Sequence, residues 1–464
     1  MLRSIKGARN WGKCKGFNVP SKTLRAFSAL IFIAISAIAA PSLRAELISQ
    51  PDAKALKIAI AVAKLENWKS AAAQASRLSS PLSKKIVAWL IYKAPNSGAT
   101  FADITKFIVE NPDWPWQNLL RQRAEEDLTE TTPDHVVLNW FKRYPPVSTS
   151  GSIAQIAALV RTNRRPEAVT LAQRAWVDSN MGWKQERSFR RQFRKMLRPE
   201  DKAARIDRLL WDERISAARR QMRYVPKDHK ALAEARIQLI ERRGGVDAAI
   251  AHVPDHLVEA PGLVYERLRW RRKKRFDESA LELLISVRDD LVRPSQWWTE
   301  RHILVRRVLQ KGDTALAYQI ASEHGQMSGQ ERAEAEWLAG WIALRFLDNH
   351  EAAFLHFKTL YENMRYPISR SRGAYSAGRA AAAAGKHVIA SLWYAVVASH
   401  VTTFYGQLAA AQLSQQNQQI IPPELPPTDE ETTSFEQNEL VRVVRMLAKD
   451  DAGDESEPFF RQLA

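Results

Sequence analysis

The chain has a single cysteine in 464 residues, Cys14. It can form no internal disulfide, and from residue 15 onward it offers no thiolate as nucleophile or metal ligand. Long apolar runs are equally scarce. Only Ala26 to Ala40, AFSALIFIAISAIAA, is continuous, and its fifteen residues are too few to span a bilayer comfortably. The signatures of nucleotide and hydrolase chemistry are missing as well: there is no G-x-x-x-x-G-K-S/T, no H-E-x-x-H, no G-x-S-x-G and no dinucleotide fingerprint. The ten histidines are scattered, with no pair at metal-ligand spacing beside a carboxylate. His387 and His400 read as helix-end or surface residues. The acidic pairs Glu125–Glu126 and Asp450–Asp451 read as solvated carboxylates, where a raised pKa for general-acid work is not expected. The sequence therefore nominates no catalytic, cofactor-binding or metal-binding residue and no cofactor.

Acidic residues are absent from the first 45 positions, which carry Arg3, Lys6, Arg9, Lys13, Lys15, Lys22, Arg25 and Arg44. A basic lead, the apolar run and the small-residue stretch before PSLRAE read as a secretory signal peptide over 1–45, cleaved after Ala45, with an uncleaved N-terminal anchor as the alternative. The mature chain is then expected in the periplasm of a diderm bacterium, with no transmembrane helix after cleavage. Removing those eight bases from 69 leaves 61 against 51 acids, so the formal charge falls from +18 to +10. In a basic exported protein this charge reads either as a site for a polyanionic or carboxylate-bearing envelope polymer, rather than nucleic acid, or as a generally basic surface with no partner. With 45% hydrophobic and 26% charged residues, the composition excludes disorder over most of the chain.

What the sequence does contain is a repeat. A turn-like residue is followed five positions later by an alanine opening an apolar stripe at Gly244/Ala249, Arg275/Ala280, Gly312/Ala317, Asp348/Ala353 and Gly385/Ala390. These alanines are 31, 37, 36 and 37 residues apart. Weaker copies stand at Asn67/Ala72, Asn163/Ala168 and Pro199/Ala204. Such a period gives each unit room for two helices that bury their stripes only against neighbours. Ile206, Leu209 and Leu210 share one helical face, as do Phe354, Phe357, Leu360, Tyr361 and Met364. Alternating strand patterns are lacking. The expected fold is all-α: a right-handed superhelical α-solenoid of helix-turn-helix, tetratricopeptide-like repeats, U-shaped, over residues 46–413. Trp297 and Trp298 are expected in its core, and Ala377, Gly378, Ala381 and Ala384 are expected to let helices approach closely.

Two basic segments stand out. RWRRKKR, Arg269 to Arg275, reads as a solvated helix end at a turn. SFRRQFRKML places Phe189, Phe193, Met196 and Leu197 on one face, either for a membrane surface or, more simply in a solenoid, for the core between repeats. Beyond the array, residues 414–433 form a linker in which Pro422, Pro423, Pro426 and Pro427 forbid a continuous helix. From Ser434, with Gln437 at the capping-box position, an amphipathic helix is expected, with Leu440, Val443, Val444 and Leu447 on one face.

The ordered set NPDWP (Asn111–Pro115), RIDRLLWD (Arg205–Asp212), YERLRWRRK (Tyr265–Lys273), WWTERHILVRR (Trp297–Arg307), EAEWLAGWIALRFL (Glu334–Leu347), YPISRSRGAYSAGRAA (Tyr366–Ala381) and TTFYGQLAAAQL (Thr402–Leu413) resembles the soluble lytic murein transglycosylases, in their alphaproteobacterial form. The resemblance runs from about residue 50 to the end. It implies a signal peptide, a U-shaped α-superhelix, a short linker domain and a lysozyme-like domain. That last domain cleaves between N-acetylmuramic acid and N-acetylglucosamine with a 1,6-anhydro product. It further implies that residues 434–464 are the truncated start of the linker domain, and that peptidoglycan glycan strands are the partner. The family's catalytic Glu-Ser and Gly-Leu-Met-Gln motifs have no match here, so no catalytic residue carries over and the chain alone is expected not to cleave murein. Three readings follow: the superhelical part of a transglycosylase whose catalytic domain is lost or separately encoded, a freestanding periplasmic protein-protein interaction scaffold that binds other cell-wall proteins, and an enzyme cut short by a gene-model error.

Overall fold

The computed structural model describes residues 49–287, 292–413, 425–449 and 453–463. The expected signal peptide, Pro422, Pro423 and the pair Asp450–Asp451 lie outside them. All regular structure among the described residues is helical, 26 α-helices and two single 3₁₀ turns running from Gln50–Lys64 to Gly453–Leu463. None of these helices is long and apolar enough to cross a membrane. Many pack on the next helix in sequence, as Gly329–Phe346, His350–Asn363, Pro367–Ala383 and His387–Ala398 do in turn, the arrangement of a helical repeat array. Arg165–Asp178, by contrast, packs on Pro199–Trp211, and Lys227–Glu241 chiefly on Pro261–Lys273.

One turn accounts for the repeat. Asn163 adopts a left-handed conformation (φ 59°), its amide donates to the carbonyl of Val160, and the Arg164 amide donates to that of Leu159 at 2.8 Å. Two orphan carbonyls of the finished helix are thereby satisfied and the chain is thrown back to start the next one. The same pair of bonds recurs around Glu66, Glu213, Arg275, Gly312 and Gly385. Five residues on stands an alanine with no space around it: Ala71, Ala168, Ala218, Ala280, Ala317 and, after Asp348, Ala353 are all 0% exposed, and Ala390 is 3% exposed. Only a methyl group fits where the second helix starts across the first.

Three of the expected copies need correction. At Asn67/Ala72 the register is one residue late, because Glu66 holds the left-handed position and Ala71 is the buried alanine, while Ala72 is exposed. Pro199 opens the helix Pro199–Trp211 rather than forming a turn, and Ala204 is exposed beside the buried Arg205. At Gly244/Ala249 the left-handed residue is Gly245, and the six-residue helix Val246–Ala251 leaves Ala249 half-buried.

The chain divides into two compact units. The first comprises residues 49–99, 111–116 and 430–463, so it joins segments from both ends of the sequence. Asp52, nearly fully buried, accepts the amides of Ser79 (2.8 Å) and Ser80 (2.7 Å), which anchors the start of helix Pro81–Lys93. Phe459, 0% exposed, lies 4.8 Å from Trp89 and 5.3 Å from Trp114 between ring centroids. Trp89 Nε1 donates to the Pro115 carbonyl at 3.1 Å, and Trp114 Nε1 donates to Glu439 at 2.6 Å. Lys85 donates to both oxygens of Glu439 at 2.9 Å, and Lys93 pairs with Glu455.

In this unit Leu440, Val443, Val444 and Leu447 are buried as their spacing implies. The helix start is different. Ser434 lies inside Asp429–Gln437, and it is Asn438 whose side chain accepts the Leu440 amide at 2.9 Å and so opens Glu439–Lys449. A terminal amide needs an acceptor two or three residues before it, and Asn438 supplies one closer than Ser434 can.

The second unit, Thr100–Glu110 with Gln117–Asp429, holds the remaining helices. Trp297 and Trp298 are both buried, one facing Tyr265 at 5.2 Å and the other donating to Glu334 at 3.3 Å. Adjacent aromatics can both be core because the helix Pro294–Gln310 has neighbours on two sides. Ala377 and Ala381 are buried. A Cβ on Gly378 would come 2.6 Å from the Tyr394 ring, and one on Gly373 would come 2.8 Å from the Tyr361 backbone nitrogen. Ala384, by contrast, caps the helix Pro367–Ala383 and is exposed, so it plays no part in that close approach.

Candidate functional site

The helix Trp183–Phe193 turns its apolar residues inward, with Phe189 at 0% and Phe193 at 4% exposure, and Met196 and Leu197 follow them into the core. The core reading of this basic segment stands, and the membrane-surface reading does not. Its other face carries Trp183, Arg187, Arg190, Arg191 and Arg194 at the spacing of one helical stripe. Opposite stand Arg220, Gln221, Arg223 and Tyr224 from the end of helix Ile215–Gln221 and the turn after it. Together they line an open cleft of about 560 Å³.

Its lining has six arginines and one carboxylate, Glu186. Glu186 is buried and already committed: its oxygens accept from Arg205 Nη2 at 3.1 Å and from Arg220 Nε at 3.1 Å. Arg205 is itself fully buried, caps the carbonyls of Trp176 and Ser179 with Nη1, and lies over the Trp176 ring. Burial pulls the Arg205 guanidinium below its ordinary pKa, against the opposing effect of Glu186. A chain of contacts therefore runs from the core to Arg220. Arg190 and Arg223 both sit over the Tyr224 ring, at 3.3 and 4.7 Å from its centroid. Trp183 is 57% exposed. A second opening of about 470 Å³, lined by Lys227, Lys230, Glu234, Gln238 and His252, mixes charges and has no comparable concentration of one sign.

Other charged residues prove structural. In RWRRKKR the helix does end at Lys273, but Arg272 donates twice to the buried Glu300, at 2.6 and 2.8 Å, and Arg269 pairs with Glu213 at 2.6 Å. The segment is thus solvated only in part. Glu125 also departs from expectation. It is 0% exposed, and burial raises its pKa against hydrogen bonds from the Val147 and Ser148 amides, which it caps. Burial likewise pushes Glu266 up to about 7, although Arg236 and Arg269 pull it down. A carboxylate titrating there has the value of a general acid, yet Glu266 is 2% exposed and lines neither cleft. Glu336 lies between two histidines, 2.7 Å from His356 Nδ1 and 3.4 Å from His324 Nε2. Burial would raise its pKa, but the two histidine hydrogen bonds outweigh that and hold it at about 2. No group of three His, Cys, Asp or Glu among the described residues could hold a metal ion.

The segment SFRRQFRKML shows Arg190, Arg191 and Arg194 in sequence, but neither Arg187 just before it nor the partners near 220. Twenty-five residues, 195–219, separate the two stripes, and only the packing of Trp183–Phe193 near Ile215–Gln221 joins them.

No family model matches the chain, and no curated protein matches it in sequence. Solved structures do. An inactive mutant of the lytic transglycosylase Slt from Pseudomonas aeruginosa matches with a TM-score of 0.59 and 14% identity over 88% of this chain and 65% of its own. The 70-kDa soluble lytic transglycosylase in complex with bulgecin A matches at 0.56 and 13%, covering 89% and 66%. Slt70 from Escherichia coli matches at 0.54 and 14%, covering 89% and 65%. The chain therefore has the all-α superhelical fold of the lytic transglycosylases, and it spans about two thirds of the length of those structures.

Proposed function

We propose that this protein is a periplasmic, peptidoglycan-associated member of the lytic transglycosylase family. In this reading residues 46–413 are the superhelical part that positions murein glycan strands, and 434–464 belong to the linker domain. Non-hydrolytic cleavage between MurNAc and GlcNAc, with its 1,6-anhydro product, falls to a separate lysozyme-like domain. The observation that carries the reading is the fold shared with three lytic transglycosylase structures over nearly nine tenths of the chain. The arginine cleft supports it, since murein stem peptides carry carboxylates. Pelleting with purified sacculi at low salt, lost at high salt, is the expected result, because exposed charge attraction is screened within about 8 Å at physiological ionic strength. Equal recovery in the supernatant with and without sacculi at low salt would refute it.

A freestanding protein-protein interaction scaffold is the second reading. It is favoured by the helix His387–Ala398, which leaves Val388, Leu392 and Val396 at 77, 63 and 45% exposure on one stripe.

A further inference from the structure

We propose that the arginine cleft is a receptor site for a short acidic peptide bearing two or more free carboxylates. The proposal deepens the reading above, which makes the stem peptides of murein that ligand.

Composition is the first argument. The lining contains six arginines and no lysine. A planar guanidinium presents a fork that matches both oxygens of a carboxylate, which a lysine ammonium cannot do. Arg187, Arg190, Arg191, Arg194 and Arg223 make no ion pair with a carboxylate among the described residues, and the one acid nearby, Glu186, is consumed by Arg205 and Arg220. The cleft thus carries a formal excess of five positive charges that the protein itself does not neutralise.

Pre-organisation is the second. The stripe stands on a helix fixed by Phe189 and Phe193, Arg220 is held by Glu186, and Arg190 is held over Tyr224. Side chains ordered before the ligand arrives lose less entropy when it binds. The third is size. A volume of about 560 Å³ suits a ligand of a few residues rather than a long strand.

Single-stranded nucleic acid fits less well. It binds through several aromatic platforms in succession. Here the Tyr224 ring is taken up by two guanidinium groups, so Trp183 is the one exposed aromatic of the cleft. Trp183 instead offers an apolar wall beside the charges, suited to the aliphatic part of a peptide.

The test is calorimetric titration of the full chain with a synthetic Ala-γ-Glu-diaminopimelate tripeptide, and with the same peptide fully amidated. Saturable binding of the free acid is expected. It should be at least about tenfold weaker for Arg187→Ala and for Arg191→Ala, the loss of one charge-assisted hydrogen-bonded pair, and absent for the amidated peptide. Both arginines are exposed, so the variants should fold, and the amidated peptide needs no variant at all. Equal binding of the two peptides, or none of either, overturns the proposal, as does tighter binding of a single-stranded oligonucleotide. Pelleting with intact sacculi separates the two claims. Pelleting without tripeptide binding overturns the cleft and keeps the murein reading. Tripeptide binding without pelleting keeps the cleft and overturns the murein reading.

Discussion

Phe459→Ala should uncouple residues 430–463 from the helices Gln50–Lys64 and Pro81–Lys93, although it lies five residues from the last position of the sequence. The ring is 0% exposed and packs on Trp89 and Trp114 at 4.8 and 5.3 Å. Truncation to Ala removes about 120 Å² of buried apolar surface, worth about 3 kcal/mol at roughly 25 cal/mol per Å². Two aromatic pairs add about 1 kcal/mol, so the expected loss is about 4 kcal/mol, within the usual range for Phe→Ala in a core. The ion pairs of the same unit are smaller by comparison. The side chains of Lys85 and Glu439 are 29 and 44% exposed, and those of Lys93 and Glu455 are 25 and 19%, so each contributes at most about 1 kcal/mol. Lys85→Ala should accordingly be mild where Phe459→Ala is severe. Amide hydrogen exchange reads this directly: in Phe459→Ala the helix Glu439–Lys449 should lose protection by a factor of several hundred, while Trp183–Phe193 keeps its own. A loss below about tenfold at Glu439–Lys449 would mean that the Trp89, Trp114 and Phe459 cluster does not hold that end, and the reasoning would fail.

Three further outcomes follow from particular residues. Glu336 has its pKa depressed to about 2 in the folded chain, so its stabilisation is complete above the unfolded value near 4.5 and is lost as pH falls from there toward 2. Glu336→Gln should flatten that acid limb of urea-unfolding stability by up to about 3 kcal/mol, and an unchanged limb would count against the two histidine bonds. Arg275→Gly should raise stability by about 1 kcal/mol in thermal melts, since Arg275 sits at φ 67° where a side chain is strained; a fall would show that its side chain matters more than its backbone. Gly340→Ala should cost about 1–3 kcal/mol by overpacking, because its new methyl would come 2.7 Å from the Phe357 ring, and a neutral result would show that ring free to move.

Much of the fold was legible because the turn chemistry is local. Gly312, Gly385, Asn163 and Asp348 are residues that tolerate a left-handed backbone, and the alanine five positions on is fixed by one helix crossing. Glu213/Ala218 escaped notice because glutamate is no turn signal, although it makes the same two hydrogen bonds. The burial of Glu125 was equally hidden. An acidic pair in a charged stretch looks solvated, and only the return of the chain at Val147 and Ser148 gives the carboxylate its two amides. The cleft was visible only in part: Arg190, Arg191 and Arg194 stand in the basic segment SFRRQFRKML, whereas Arg187 lies just before it and Arg220, Arg223 and Tyr224 join through tertiary packing. Likewise the Asn438 cap was masked by Ser434, which fits a capping box in sequence yet lies within a helix.

Binding of murein through the arginine cleft is read from the fraction of protein that pellets with purified sacculi as salt is raised, for the wild type and for a variant carrying both Arg187→Ala and Arg191→Ala. Strong wild-type pelleting at low salt that fades as salt rises is expected, with weaker and less salt-sensitive pelleting of the variant. Wild-type protein that stays in the supernatant at low salt, or two identical curves, would contradict it.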